Sequence, residues 1–197
     1  MAELRVARSE LILGGQKSGK TARAEALAAA WLAQSSDRHA VYIATAQAWD
    51  DEMRERIARH QRERANRLPG MLTVEEPTEL AQAVSEHSGP DTLVVVDCLT
   101  LWLTGRLMPA ASLHPAKTVR PDTTAVAHDL AMAQLLGSCT GPVVMVSNEI
   151  GLGVIPMGRD VRAFVDALGR LNQRTAAACE RVTFMAAGLP LTLKGTP

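Results

Sequence analysis

Short apolar runs alternate with longer, helix-like stretches along the whole chain. Four runs have the length and continuity of strands that are buried on both faces: residues 11–13, 40–44, 93–96 and 142–146. Two more strands are predicted near the carboxyl end, at residues 181–186 and 191–193. Since strands of this kind belong inside a sheet, the pattern predicts a core built around a mainly parallel sheet.

Helices are predicted between these strands, at residues 20–34, 50–64, 78–84, 123–136 and 160–178. The second helix begins at Asp50, a suitable N-cap, and Asp51 and Glu52 fill its first turn. Residues 109–121 carry prolines and polar side chains, which predicts a long mobile loop. The alternation indicates an α/β fold of three layers, and without a repeat or a linker we expect one domain over residues 1–197.

Composition narrows the functional class. The 197 residues are 47% hydrophobic, and 21 Lys and Arg balance 21 Asp and Glu, which argues against a protein that coats nucleic acid or an anionic membrane. The longest apolar run, residues 27–33, is far shorter than the roughly 20 residues of a membrane span, and the start lacks the apolar core of a signal peptide. Cys98, Cys139 and Cys179 show no paired spacing, as expected for reduced thiols. We therefore expect a cytoplasmic enzyme.

A complete phosphate-binding motif follows the first predicted strand. It reads Gly14, Gly15, Gln16, Lys17, Ser18, Gly19, Lys20 and Thr21. Its glycines allow backbone N–H groups to surround phosphate oxygens at the positive end of the following helix. Lys20 is expected to reach the outer phosphates and the Thr21 hydroxyl to bind Mg²⁺. The alternative is a glycine-rich turn with an exposed lysine, but the strand before the motif and the helix after it favour a P-loop NTPase-like domain.

Asp97 is the candidate partner of this motif. It ends a predicted parallel strand, where an acid can hold the Mg²⁺ shell, although an Asp at this position can also simply cap the next segment. The next residue is Cys98, so the second acid with which many motors activate water is missing. No Asn-Lys-x-Asp segment occurs either, which argues against a guanine-specific switch. The sequence favours phosphoryl transfer to a substrate.

The charged second helix contains a histidine among arginines. Met53, Ile57 and His60 are spaced by four and three, so the imidazole is predicted to share the face that turns toward the protein body. The neighbouring arginines are Arg56, Arg59, Arg62 and Arg64. An imidazole can attack a phosphoryl group and carry it as a phosphoramidate. The spacing alone favours the alternative, a packing histidine beside a solvated, salt-bridged surface.

Polar residues and glycines follow the fourth strand at residues 147–153, which is typical of a ligand loop at the carboxyl end of a sheet; an ordinary strand-to-helix turn fits equally well. Asn172 and Gln173 lie on the last helix, and physical reasoning assigns them no role.

The ordered set of motifs resembles the bifunctional adenosylcobinamide kinase/adenosylcobinamide-phosphate guanylyltransferase family of cobalamin synthesis. The similarity runs from about residue 10 to residue 194. The matching segments are residues 14–21, 42–46, 51–53, 56–57, 60, 75–77, 97–104, 147–153 and 172–173. The phosphate motif alone is shared by many enzymes, whereas this order of segments is specific.

The resemblance implies two reactions. ATP or GTP phosphorylates the hydroxyl of the aminopropanol arm of adenosylcobinamide, and GTP then guanylylates an enzyme histidine, which passes GMP to the new phosphate. The family's histidine falls on His60. The implied nucleotide contacts are Gly14 to Thr21, Thr45, Ala46, Gln47, Gln61, Arg62, Glu63, Arg64, Glu75 and Asp97. The resemblance also implies a homotrimer with a corrin site near subunit contacts. The alternative is a monofunctional small-molecule kinase in which His60 is structural.

Overall fold

The computed structural model describes residues 4–48, 51–108 and 134–196, with only the backbone at Met53 and Arg56. The strands are β1 (Ser9–Gly14), β2 (His39–Ala44), β3 (Met71–Glu75), β4 (Thr92–Asp97), β5 (Val143–Val146), β6 (Arg181–Ala186) and β7 (Leu189–Lys194). The helices are α1 (Lys20–Leu32), α2 (Asp51–Arg67), α3 (Leu80–His87), α4 (Leu99–Leu107) and α5 (Arg159–Ala178). Residues 134–138 are also helical.

The strands form one sheet in the order β3-β2-β4-β5-β1-β6-β7. All neighbouring pairs are parallel except β6 and β7, which form an antiparallel hairpin at one edge. The predicted α/β class with a mainly parallel sheet is therefore confirmed. The sequence did not predict β3 or α4, and it placed α3 two residues too early. The predicted N-cap Asp50, the predicted loop 109–121 and most of the predicted helix 123–136 lie outside the described residues.

Each face of the sheet carries its own apolar core, which produces the three predicted layers. On one face, α3, α4 and α5 contribute buried side chains, including Leu80, Trp102 and Leu168. On the other face, α1 contributes Ala24, Leu27 and Ala28. Strand residues alternate between the two cores, since successive side chains of a strand point to opposite faces. In the described part of the chain, no helix has both the length and the apolar character required to cross a bilayer.

The carboxyl ends of the six parallel strands meet at one edge of this sheet. Strands β1 to β6 end there at Gly14, Ala44, Glu75, Asp97, Val146 and Ala186. In open α/β sheets ligands bind at this edge, because loops diverge there and helix N-termini point toward it. The fold thus brings the segments with candidate chemistry to a common side of the molecule.

Candidate functional site

The phosphate loop between β1 and α1 is tightly constrained. Gly14 has φ +152°, and a Cβ at this position would lie 2.4 Å from the carbonyl oxygen of Met185 and 2.6 Å from Oγ of Ser18. Gly19, with φ +104°, precedes the first turn of α1 and takes a left-handed conformation that glycine adopts without steric cost. The β6–β7 hairpin backs the loop, because the Gly188 N–H donates to the carbonyl of Ser18 at 2.9 Å. The loop therefore has a fixed shape.

Two side chains of the loop, those of Lys20 and Ser18, have polar groups that could bind an anion. Lys20 is buried, and its ammonium group donates to the carbonyl oxygen of Gly15 at 2.6 Å. Burial lowers the pKa of Lys20, and the negative charge of Asp97 acts in the opposite direction. Oγ of Ser18 is buried and has no hydrogen-bond partner within the described residues. A phosphate oxygen could satisfy both groups.

Thr21 and Asp97 form the candidate metal site. The Thr21 hydroxyl, at the start of α1, donates to Oδ2 of Asp97 at 2.9 Å. A hydroxyl and a carboxylate oxygen side by side are hard oxygen ligands, and Mg²⁺ is typically held by one or two such groups together with nucleotide phosphates. The residues present therefore fit a magnesium–nucleotide complex.

Tyr42 belongs to the same cluster, although sequence reasoning did not single it out. Its hydroxyl donates to Oδ2 of Asp97, the same oxygen that accepts from Thr21. Burial, followed by the negative charge of Asp97, raises the pKa of Tyr42 well above its usual value. The phenol therefore stays protonated and remains a donor. In the sequence, Tyr42 begins the matching segment 42–46, but neither its position in β2 nor that segment assigns it a role.

Helix α2 contacts this cluster through Arg64. The guanidinium carbon lies 3.5 Å from the centroid of the Tyr42 ring, and the side chain is only 4% exposed. Arg64 Nε is buried without a hydrogen-bond partner in the described structure. Nearby, the Gln61 amide donates to the carboxylate of Glu75 at the end of β3. Among the predicted nucleotide contacts on α2, Gln61 and Arg64 thus face the sheet edge, whereas Arg62 and Glu63 are exposed.

His60 does not face the protein body, and that part of the prediction is wrong. Half of its side chain is exposed, and Nδ1 lies 3.6 Å from a carboxylate oxygen of Glu63. The inward face of the helix runs instead through Ile57, Gln61, Arg64 and Leu68, all buried or partly buried. The side chain of Met53, on which the prediction also rested, lies outside the described residues.

Thr45 fixes the backbone beside the candidate metal site. Its hydroxyl donates to the carbonyl of Cys98 at 2.7 Å and accepts from the Cys98 N–H at 2.8 Å. The Thr45 N–H donates to the carbonyl of Asp97 at 3.1 Å. The segment after β2 is therefore joined to the end of β4. Ala46 and Gln47 continue along this edge, and both are partly buried.

The segment after β5 lies against the phosphate loop. The Glu149 N–H donates to the carbonyl of Gly14 at 3.1 Å, and the Asn148 N–H donates to the Thr100 hydroxyl at 2.8 Å. The Asn172 amide donates to the carbonyl of Asn148 at 3.0 Å, which gives this residue of α5 a role in holding the segment. The structure thus places Asn148 and Glu149 beside the phosphate loop, and a ligand for the segment 147–153 stays a prediction.

Comparison with known proteins identifies the family to which the sequence is similar. The family model described as cobinamide kinase/cobinamide phosphate guanyltransferase matches residues 10–193. The chain is 44% identical over 188 residues to the bifunctional adenosylcobalamin biosynthesis protein CobP of Pseudomonas aeruginosa, covering 95% of this chain and 98% of that protein. It is 33% identical over 187 residues to the protein CobU of Escherichia coli, which bears the same bifunctional description, covering 93% and 98%.

The resemblance inferred from the motifs is therefore confirmed over nearly the whole chain. The phosphate loop, the Thr21–Asp97 pair and the segment after β5 lie at one sheet edge, inside the matched residues. This chain belongs to the cobinamide kinase/cobinamide phosphate guanyltransferase family.

Proposed function

We propose that this protein phosphorylates adenosylcobinamide and then transfers GMP from GTP to the new phosphate. The observation that carries the proposal is the closed phosphate loop with Thr21 and Asp97 in contact at the start of α1, in a chain of this family. ATP or GTP supplies the phosphoryl group in the first step, and GTP supplies GMP in the second.

The kinase step uses the groups of the phosphate loop. Lys20 exchanges its bond to the carbonyl of Gly15 for the outer phosphate oxygens, and the amides of residues 14–19 bind the remaining ones. Thr21 and Asp97 would hold Mg²⁺, which offsets charge on the phosphates when it is bound. The substrate hydroxyl attacks the γ-phosphorus, loses its proton, and the nucleoside diphosphate leaves.

The guanylyl transfer step uses His60. An imidazole nitrogen attacks the α-phosphorus of GTP, pyrophosphate leaves, and a phosphoramidate forms; a phosphate oxygen of the corrinoid then attacks this phosphorus and frees the imidazole. The half-exposed ring supports the proposal because it is open to a nucleotide. With Nδ1 directed toward Glu63, Nε2 is the nitrogen free to attack. Arg59 and Arg62 are exposed beside it and can offset phosphate charge.

The remaining assignments are part of the same proposal and rest on the resemblance to the family. Thr45, Ala46, Gln47, Gln61, Arg62, Glu63, Arg64 and Glu75 contact the nucleotide, residues 1–197 form one domain, and the protein acts in the cytoplasm as a homotrimer. Gln61, Arg64, Glu75 and Thr45 support this proposal through their position at the sheet edge that holds the phosphate loop.

A second candidate is a monofunctional kinase with the same phosphate loop. It is favoured by the half-exposed position of His60, whose nearest charged neighbour is Glu63 on the same helix. In that case no covalent nucleotide forms, and His60 contributes only to the surface of α2.

Labelling with GTP that carries a radioactive α-phosphate separates the two candidates. The wild-type protein should acquire an acid-labile label, and His60→Ala should abolish the label while it keeps the phosphorylation of adenosylcobinamide. His39→Ala removes another exposed imidazole, outside α2, and should label normally. A wild-type protein that phosphorylates adenosylcobinamide but never acquires label would leave only the kinase.

A further inference from the structure

The segment that follows β5 exposes an unusual run of apolar side chains. Over eight positions it presents Ile150 (39% exposed), Leu152 (78%), Val154 (96%), Ile155 (78%) and Met157 (96%). Scattered exposed apolar residues are normal on protein surfaces, whereas a contiguous group marks a binding surface. We propose that residues 150–157, here called the apolar loop, bind the corrin ring of the substrate during phosphoryl transfer. This proposal rests on the proposed function.

The backbone on both sides of the apolar loop is held by hydrogen bonds. Before it, the Glu149 N–H donates to Gly14, and the Glu149 carboxylate accepts from the Gly151 N–H at 2.8 Å. At the end of the apolar loop, the carbonyls of Pro156 and Met157 accept from the guanidinium of Arg162, which lies on α5; the distance to Pro156 is 2.9 Å. The apolar side chains are thus presented to solvent from an anchored backbone, and the energetic cost of their exposure is recovered when a ligand covers them.

The position of the apolar loop matches what the kinase step requires. The hydroxyl of the aminopropanol arm must reach the γ-phosphate, so the corrin ring must lie within one arm length of the phosphate loop. Glu149, the residue before the apolar loop, donates its N–H to the carbonyl of Gly14, so the apolar loop begins beside the phosphate loop.

The charge of the apolar loop excludes the nucleotide as its occupant. Residues 150–158 contain no charged side chain, whereas a triphosphate is bound by backbone amides and cations. Of the two substrates, the corrinoid is the one with a large uncharged ring face, and we therefore take the corrin ring as the occupant.

A second exposed apolar surface provides a matched control. Leu189, Leu191 and Leu193 lie on β7 at the edge of the sheet and are 71%, 59% and 57% exposed. Substitutions at Leu189 and Leu191 remove comparable apolar area without touching the apolar loop.

The test compares the double variants Leu152→Ser/Val154→Ser and Leu189→Ser/Leu191→Ser with the wild type. The first should raise the KM for adenosylcobinamide at least tenfold, because both side chains contact the ring. Its KM for ATP and its rate of self-guanylylation by GTP, which needs no corrinoid, should change less than twofold. The control should keep all three constants within twofold, and the thermal unfolding of both variants should match the wild type.

Three results would overturn the proposal. The first is an unchanged KM for adenosylcobinamide in Leu152→Ser/Val154→Ser. The second is a rise in the KM for ATP and a fall in the rate of self-guanylylation that are as large as the rise in the KM for adenosylcobinamide. The third is a change in oligomeric state by light scattering without a change in corrinoid KM, which would assign the surface to contacts between copies of the chain. Failure of the proposed function is distinguishable, since the wild type itself would then not phosphorylate adenosylcobinamide.

Discussion

The guanidinium group of Arg64 lies 3.5 Å from the centre of the Tyr42 ring, and this stacking joins α2 to the candidate metal site. Tyr42 donates its hydroxyl to Asp97, which also accepts from Thr21. A positive charge as buried as Arg64 needs a partner, and the negative face of an aromatic ring supplies one. One tyrosine therefore contacts both the helix that carries His60 and the carboxylate next to the phosphate loop.

We expect Tyr42→Phe to weaken the binding of Mg²⁺. The variant keeps the ring under Arg64 and removes only the hydroxyl, so Asp97 loses one of its two side-chain donors. Groups that orient a metal ligand typically change metal affinity or activity by about tenfold or more. The Mg²⁺ concentration for half-maximal kinase activity should rise by about that factor, with a parallel loss in calorimetric binding of Mg²⁺ with nucleotide. An unchanged Mg²⁺ titration would mean that Thr21 alone positions the carboxylate.

Removing the stacked arginine should destabilise the protein. Arg64→Ala loses the contact with Tyr42 and the packing of the buried side-chain stem, which together should lower the free energy of unfolding by about 1–2 kcal/mol. Arg62→Ala, at an exposed position of the same helix, should cost less than about 0.5 kcal/mol. Urea denaturation measures both. Equal effects for the two variants would show that the stacking contributes nothing.

Adjacent glycines of the phosphate loop should respond very differently to alanine. In Gly14→Ala the new Cβ would collide with the carbonyl of Met185, which is backbone of β6, in a conformation that alanine rarely adopts. At Gly15 nothing lies within 4 Å of the new atom. We expect Gly14→Ala to lower the thermal unfolding midpoint and to abolish nucleotide binding measured by calorimetry. Gly15→Ala should retain both, and similar losses in the two variants would contradict the geometry.

Much of the sheet and of the phosphate loop could be predicted because both depend on local sequence. The glycines, Lys20 and Thr21 are neighbours in the chain, and buried parallel strands produce continuous apolar runs. β3 was not predicted because this edge strand, Met71–Glu75, has mixed polarity and therefore no continuous apolar run. Tyr42 escaped because its partner Asp97 is 55 residues away, and only the parallel pairing of β2 with β4 brings them together.

The orientation of His60 was predicted wrongly for a related reason. Helix α2 has few apolar side chains, so its sequence barely determines which face turns inward. The spacing of Met53, Ile57 and His60 suggested one face, but the inward position near the sheet is taken by Arg64. A buried arginine stacked on an aromatic ring replaces the apolar residue that a simple pattern would require.

A buried ionic cluster on β1 and β6 should make a large contribution to stability. Glu10 is fully buried and accepts from Arg23 at 3.1 Å, from Arg181 at 2.8 Å and from Thr183 at 2.7 Å. Glu10→Ala would leave two arginines without their carboxylate, and breaking such a buried pair costs about 3–5 kcal/mol. Asp37→Ala, at an exposed position, is the control. A loss below about 1 kcal/mol by urea denaturation would contradict this account.

The three cysteines should resist alkylation in the folded protein. All are buried, and burial raises the pKa of Cys98 and of Cys179 to about 12 and raises that of Cys139. A thiol with such a pKa is a thiolate in only about one molecule in ten thousand at pH 8, and only the thiolate reacts. Because thiolate becomes more abundant as pH rises toward the pKa, any native reaction of Cys98 or Cys179 should accelerate about tenfold per pH unit between pH 8 and 10.

Mass spectrometry after a timed treatment with iodoacetamide tests this expectation. At pH 8 the native protein should gain almost no label, and the protein in guanidinium chloride should gain three, because unfolding removes both the burial and the pKa shift. Rapid labelling of Cys98 in the native protein would show that the end of β4 opens to solvent. Since Asp97 precedes Cys98, the candidate metal site would then open with it, and Thr21 and Tyr42 could not hold the carboxylate as the structure describes.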